Sequence, residues 1–376
     1  EVKLFSADGT ARGTAWESRT PPRSFKAKSL LGIQGAFCLK AFTTLGRCRF
    51  SVIPAQAGIQ RSCGNDWTPA GVHVRVGGGG SKEQVKSAPL FHLLALGYPY
   101  MYSLPYNDLF IYLIKGLVPR AEEAALGRSF LGNWVEEDTC FLFFSNPSSW
   151  LVSELLARHP ELQLLEEYHF TYEEWQGAFL EPLKIDRFLI TPPWMEAMAV
   201  HEETKILLDP GLVFGTGLHA STRDSLKALS YVHSRFPVKK VVDLGTGTGV
   251  LALASALLGA EHVLAVDLNP LCVKTAERNV QLNHLETHIE VKEGRAEDYA
   301  DVPADLVLAN IHWDVLKTLL ANERFRKNPW IVLSGLMRSH ARDLELDLAR
   351  CGLRLVKAWE DEATWYTMLV SNGVLE

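Results

Sequence analysis

Directly after the apolar run Val241, Val242, Asp243 and Leu244, three glycines, Gly245, Gly247 and Gly249, alternate with threonine. A run of this kind reads as a parallel strand buried on both faces. Glycine then lets the backbone turn sharply and approach a ligand where a Cβ would collide. The spacing is GxGxG, whereas the dinucleotide fingerprint is GxGxxG, and Val250 stands where the third fingerprint glycine would be. This favours S-adenosylmethionine over NAD as the nucleoside-bearing ligand. A strand, turn and helix without any ligand is the plain alternative.

Other residues gather around that reading. Asp267 ends the next apolar run, AVDLNP, where an acid can accept both hydrogen bonds of a ribose diol. Its structural alternative is an N-cap, a role that Asn269 fills better. Asp243 sits at the carboxyl end of its strand and either orients the glycine turn, receives the ammonium group of the ligand, or simply bonds loop amides. Glu297 and Asp298 are placed to meet an adenine amino group or to form a solvated loop. Asn310 closes ADLVLANI, and a neutral amide at that tip can hold an amine nucleophile facing an activated methyl group; a turn-forming asparagine is the alternative. The segment Leu207–Thr222 is rich in turn residues, and its Phe214, Gly215, Thr216, Gly217 and His219 read as a loop folded over a site, followed by a helix capped near Ser221. His219 and His312 are candidate general bases, and neither is assigned that role.

These residues need a frame. Seven apolar strand candidates occur after about residue 200: KKVVDLG, HVLAVDL, HIEVKEG, ADLVLANI, WIVLSGL, LRLVKAW and TWYTMLVS. Helical segments are expected after the first five, among them LALASALLGA, closed by Gly259. Alternating strands and helices call for a parallel sheet, and the short turn Glu360–Ala363 requires the last two strands to pair antiparallel. Earlier in the chain, strands at Asp108–Gly116, Asp138–Ser145 and ELQLLEEYHF mix with helices at Pro119–Gly127 and from Ser148 to Pro160, which suggests a small α+β unit. The expected division is therefore 105–170 for that unit, 171–200 for a connector in which Trp175 and Trp194 pack between domains, and 201–376 for the parallel sheet.

Composition bounds the remainder. The 376 residues are 47% hydrophobic, enough for real cores. Glu1–Ser87 carries 13 Lys/Arg against 5 Asp/Glu, whereas the rest carries 25 against 39, within an overall net charge of −6. An acidic body argues against a nucleic-acid substrate and for a basic protein partner. Residues 1–87 are rich in Gly, Ser, Arg and Pro, end in GGGGS and include SVIPAQAGIQ, which resembles translated bacterial interspersed repeats. With Glu1 at the start and Met101 as the first methionine, they read as disorder or as an over-extended reading frame. The six cysteines (Cys38, Cys48, Cys63, Cys140, Cys272 and Cys351) form no CxxC and have no histidine at ligand spacing, so no metal site or disulfide framework is expected. Ala88–Asn107 lacks charge but is interrupted by Pro89, His92, Pro99 and Pro105, which disfavours a membrane span. No convincing signal peptide is present either, and a cytoplasmic location is expected.

In order and spacing, DPGLVFGTGLHAST, VVDLGTGTG, AVDLNP, LVLANI and LSG resemble the ribosomal protein L11 methyltransferase (PrmA) family. So does the connector YEEWQGAFLEPLKIDRFLITPPW, and the resemblance covers roughly Leu109–Ser371. It implies a class I methyltransferase domain, with a seven-stranded, mostly parallel sheet and an antiparallel last strand, preceded by a ferredoxin-like recognition domain. It also implies S-adenosylmethionine-dependent methylation of amino groups, lysine side chains included, on a large-subunit ribosomal protein. Carried over by position, cofactor contacts fall on Thr222, Gly245, Asp267 and Asn310. HAST replaces the usual HPTT and ANIHW the usual ANIL, which keeps open a relative acting on another protein or a small amine. A non-catalytic binding module is the remaining alternative.

Overall fold

The computed structural model describes residues 104–373 except 137, 177–180, 196–202 and 362–363. The expectations for residues 1–87 and most of Ala88–Asn107 lie outside the described residues. Among those described, no helix is long and apolar enough to cross a membrane.

The first unit runs β1 (Asp108–Lys115), α1 (Arg120–Glu123, extended by a 3-10 turn to Leu126), β2 (Phe130–Glu136), β3 (Thr139–Phe144), α2 (Ser149–Arg158) and β4 (Gln163–Thr171). The four strands pair antiparallel in the order β2-β3-β1-β4, which is the ferredoxin-like arrangement. Alternate residues Tyr112, Ile114, Cys140, Leu142 and Phe144 share a core with Leu126, Val152 and Leu155 beneath the helices. Strand β2 was not among the expected elements. Its sequence FLGNWVE is interrupted by Gly132 and Asn133, and Gly132 packs against the tip of the Leu271 side chain, which a Cβ there would push aside.

Within the connector, α3 (Tyr172–Gln176) follows β4, and β5 (Leu183–Ile185) and β6 (Phe188–Thr191) form a three-stranded sheet with β7 (Thr204–Leu207), which lies just past the expected end of the connector. The ring of Trp175 lies edge-on to Phe143 of the first sheet, 5.5 Å between centroids.

All seven expected strands then appear: β8 (Lys240–Leu244), β9 (His262–Asp267), β10 (Ile289–Glu293), β11 (Leu306–Asn310), β12 (Trp330–Met337), β13 (Arg354–Asp361) and β14 (Trp365–Ser371). Their order is β10-β9-β8-β11-β12-β14-β13, with β14 antiparallel to both neighbours and the other pairs parallel. The helices are α4 (Ala220–His233), α5 (Val250–Leu257), α6 (Pro270–Leu282), α7 (Trp313–Ala321) and α8 (Arg338–Leu348). One expectation fails here, because the gap after β10 holds only a 3-10 turn, Ala296–Tyr299. Strand alternation divides the core in two. Val241, Leu306, Leu308 and Val332 pack against α4 and α5, whereas Val242, Leu244, Val307 and Ile331 pack against α7 and α8. The order reverses between β8 and β11, and ligands in open α/β sheets bind at such a switch, outside the carboxyl ends of the strands.

Candidate functional site

The carboxyl ends of β8, β9 and β11 bring the expected residues together. Gly245, Gly247 and Gly249 all have positive φ (72°, 56° and 85°), which L side chains rarely adopt. A Cβ on any of them would meet protein: Ile311 from Gly245, the Phe214 carbonyl oxygen from Gly247 and Ala276 from Gly249. The glycines are therefore fixed by the packing of other chain segments onto the turn.

The most important of those segments contains Phe214. Thr248 donates its backbone N–H to the Phe214 carbonyl (3.0 Å) and its hydroxyl to the Gly215 carbonyl (2.7 Å). Gly217 of the same loop sits over Leu183, Ile185 and Ile190 of the three-stranded sheet. The loop ends at His219, whose Nδ1 accepts from the Ser221 amide (3.2 Å) and caps α4. The cap is thus two residues earlier than expected, because an imidazole nitrogen serves as the acceptor in place of a hydroxyl. The His219 ring is edge-on to Phe214 (5.2 Å) and to Trp365 (4.7 Å). Burial, aided by the Arg223 guanidinium, pushes the His219 pKa down to about 4. Trp365 escaped the sequence reading because it lies far along the chain, at the start of β14, and only the antiparallel return of that strand delivers it here.

Asp243 is 1% exposed. Its Oδ2 accepts from the Thr246 hydroxyl at 2.6 Å, whereas Oδ1 makes no well-formed hydrogen bond. The nearby Ala252 amide and the Thr246 hydroxyl favour its charge, but burial dominates and pushes the pKa up to about 7. Asp267 is better supplied, with Oδ2 accepting from Gly247 N and Oδ1 from Asn269 N, each at 2.9 Å. Burial raises its pKa against the lowering effect of those amides. The Cys272 thiol and the Leu268 amide also bear on this carboxylate and favour its charge. Asn269 caps α6 as expected, accepting from Leu271 N.

Asn310 ends β11 one step beyond Ala309, which pairs with Leu244. Its Nδ2 lies 3.5 Å from the Thr222 hydroxyl, so two residues 88 positions apart meet at the site. Glu297 is drawn to Arg295 at 3.1 Å and Asp298 is exposed, so neither is held toward the glycine turn by a described bond. His312 caps α7 and faces solvent, next to a stack of Trp313 on His340 (5.2 Å, 10°). No group of three or more metal-ligating side chains occurs among the described residues. A cavity of about 380 Å³ lies at the opposite, amino ends of β8–β10, lined by Lys240, His262 and His288 among others. It shares no residue with the cluster above.

The residues present fit S-adenosylmethionine on three counts. An unpartnered, buried carboxylate oxygen on Asp243 suits an ammonium group. A second carboxylate, Asp267, stands at the carboxyl end of β9, where an acid suits a ribose diol. Beside it Leu268, 64% exposed, offers apolar surface to a base.

Comparison with known proteins adds to this geometry. The profile of the family described as "Ribosomal protein L11 methyltransferase (PrmA)" matches residues 150–372. A ribosomal protein L11 methyltransferase of Desulfitobacterium hafniense is 37% identical over 217 residues, covering 56% of this chain and 69% of that protein. One from Carboxydothermus hydrogenoformans is 36% identical over 191 residues, covering 49% of this chain and 62% of the relative. The crystal structure of a ribosomal protein L11 methylase from Lactobacillus delbrueckii subsp. bulgaricus is 28% identical, with a TM-score of 0.42 over 50% of this chain and 94% of that one.

Proposed function

The chain belongs to the ribosomal protein L11 methyltransferase family, and from that premise we propose that it methylates amino groups of ribosomal protein L11, lysine side chains included, using S-adenosylmethionine. The observation that carries this reading is the meeting of Asp243, Asp267, Asn310 and the Phe214 loop at one sheet switch point.

When bound, the donor supplies a methyl carbon already activated by its sulfonium, so placement of the attacking amine dominates the barrier. Asp243 Oδ1 and Asp267 hold the donor's ammonium and ribose, with the backbone of Gly245, Gly247 and Gly249 shaping the turn beneath. Asn310 turns Nδ2 toward Thr222 and keeps Oδ1 to accept an N–H of the incoming amine. A lysine of ordinary pKa about 10.4 must lose a proton first. The rings of Phe214, His219 and Trp365 form an apolar wall that disfavours the charged ammonium by desolvation. With its pKa near 4, His219 is neutral at pH 7 and too weak a base to take that proton efficiently. Its role is the wall and the helix cap. The acidic body suits a basic protein acceptor met in the cytoplasm, with the ferredoxin-like unit as the recognition element.

A second reading, a family member with another acceptor, draws on the Trp313–His340 stack, whose tryptophan begins the helix that follows β11. One experiment separates them: incubation with labelled donor and ribosomal protein L11, followed by mass spectrometry of the product. Label on L11 amino groups supports the first reading. Donor turnover only with other proteins or small amines sinks it.

A further inference from the structure

Two asparagines about one helical turn apart, Asn279 on α6 and Asn283 at its C-cap, bond the backbone of a segment 70 and more residues earlier. Asn283 Oδ1 accepts from Leu207 N (2.9 Å) and its Nδ2 donates to Leu207 O (2.7 Å). Asn279 repeats the pattern on Asp209, accepting from its N (2.7 Å) and donating to its O (2.9 Å). The match is geometric, because four residues of helix rise about 6 Å and two residues of strand about 6.6 Å. The helix thereby presents the chain with an imitation strand edge.

Asn279 makes one bond more. Its second Nδ2 hydrogen goes to the Thr248 carbonyl at 2.9 Å, and Thr248 is the residue that binds the Phe214 and Gly215 carbonyls. Asn279 is fully buried, and every hydrogen-bonding group on its side chain is used. From Asp209 the chain of contacts continues outward. The Gly211 amide bonds Asp209 Oδ1 (3.0 Å), and the Gly211 carbonyl accepts from both Gln176 Nε2 (2.7 Å) and the Tyr172 hydroxyl (3.2 Å). Those two donors lie on α3, which directly follows β4, the last strand of the ferredoxin-like unit. Gly211 has φ +54° and packs on Thr275, the preceding turn of the same α6 face.

We propose that Asn279 is a positioning residue: it locks the Phe214 loop and the glycine turn into one unit, which Gly211 ties to α3, so docking of the ferredoxin-like unit tightens the donor site. The proposal rests on the functional reading above only for its consequence, not for its geometry. Neither Asn279 nor α3 touches the reacting atoms in this account, and both act through Thr248.

The test pairs amide hydrogen exchange of the donor-free full chain with S-adenosylhomocysteine binding, both well below the melting temperature of each variant. Asn279→Ala is expected to speed exchange at Asp209 and Thr248 about tenfold or more while β12 keeps its protection. It is expected to raise the S-adenosylhomocysteine Kd and the donor KM by a similar factor, with kcat at saturating donor within about twofold. Gln176→Leu combined with Tyr172→Phe is expected to move Thr248 exchange and Kd in the same direction by a smaller factor, and it decides the matter if Asn279→Ala fails to fold. Unchanged exchange at Thr248 in the folded variants overturns the proposal, as does faster exchange with unchanged Kd. A wild-type chain that binds no S-adenosylhomocysteine sinks the functional reading instead, and the exchange measurement then decides the positioning claim.

Discussion

Asp243→Asn is expected to make the donor-free protein more stable and less able to bind its ligand. Wild-type Asp243 has a folded pKa of about 7 against an ordinary value of 3.8. Between those values the folded state holds a proton that the unfolded state has released, so stability falls as pH rises and levels off above about 7. The full interval corresponds to about 4 kcal/mol, of which roughly 2–3 kcal/mol is lost between pH 5 and pH 8. Asparagine cannot ionise, so this loss vanishes. The substituted amide keeps an acceptor for the Thr246 hydroxyl but sets its NH2 where Oδ1 stood without a partner, at a cost of about 1–3 kcal/mol. At pH 8 the balance favours the variant by about 1–3 kcal/mol, a rise of several degrees in melting temperature. S-adenosylhomocysteine affinity is expected to fall at least about tenfold, because a charge-assisted bond to the ammonium is gone. Thermal melts across pH 5–8 with parallel titration calorimetry measure both quantities. Parallel stability curves for wild type and variant, or undiminished affinity, would refute the reasoning. Burial also raises the pKa of Asp267, so the difference between the two curves is the quantity to read.

Other substitutions test other parts of the site. Gly247→Ala forces a Cβ into the Phe214 carbonyl at positive φ; denaturant unfolding is expected to show a loss of about 2–4 kcal/mol, from backbone strain and the broken Thr248–Phe214 bond. Asn310→Ala should lower turnover far more than donor affinity, and steady-state kinetics showing equal losses in both would argue against its placement at the amine. His219 and His233 are both half-buried, and desolvation pushes their pKa values down to about 4. The unfolded state therefore binds more protons between about 6.5 and 4, and stability falls as pH falls through that window. Replacing both by glutamine should flatten melting temperature there, whereas an unchanged acid slope would discount their burial.

How much of this was legible in the sequence follows from which interactions are local. The seven strands of the large sheet were readable because each is a short apolar run bounded by turn residues, and the hairpin β13–β14 because its turn is too short for a crossover. The glycine turn, Asp267 and the Asn269 cap were readable for the same reason, as their chemistry lies within a few residues. Strand β2 was missed because Gly132 and Asn133 break its local apolar pattern, while its pairing with β3 and the contact of Gly132 with Leu271 are tertiary. The cap at His219, the wall formed by Trp365 and the bonds of Asn279 to Asp209 and Thr248 were likewise invisible. Sequence alone determined the kind of ligand turn and the strands that present it, because backbone conformation and strand burial are written in local residue type and spacing. Only the tertiary structure decided which distant side chains close over that turn, since those partners are selected by how helices and the returning β14 pack, not by their distance along the chain.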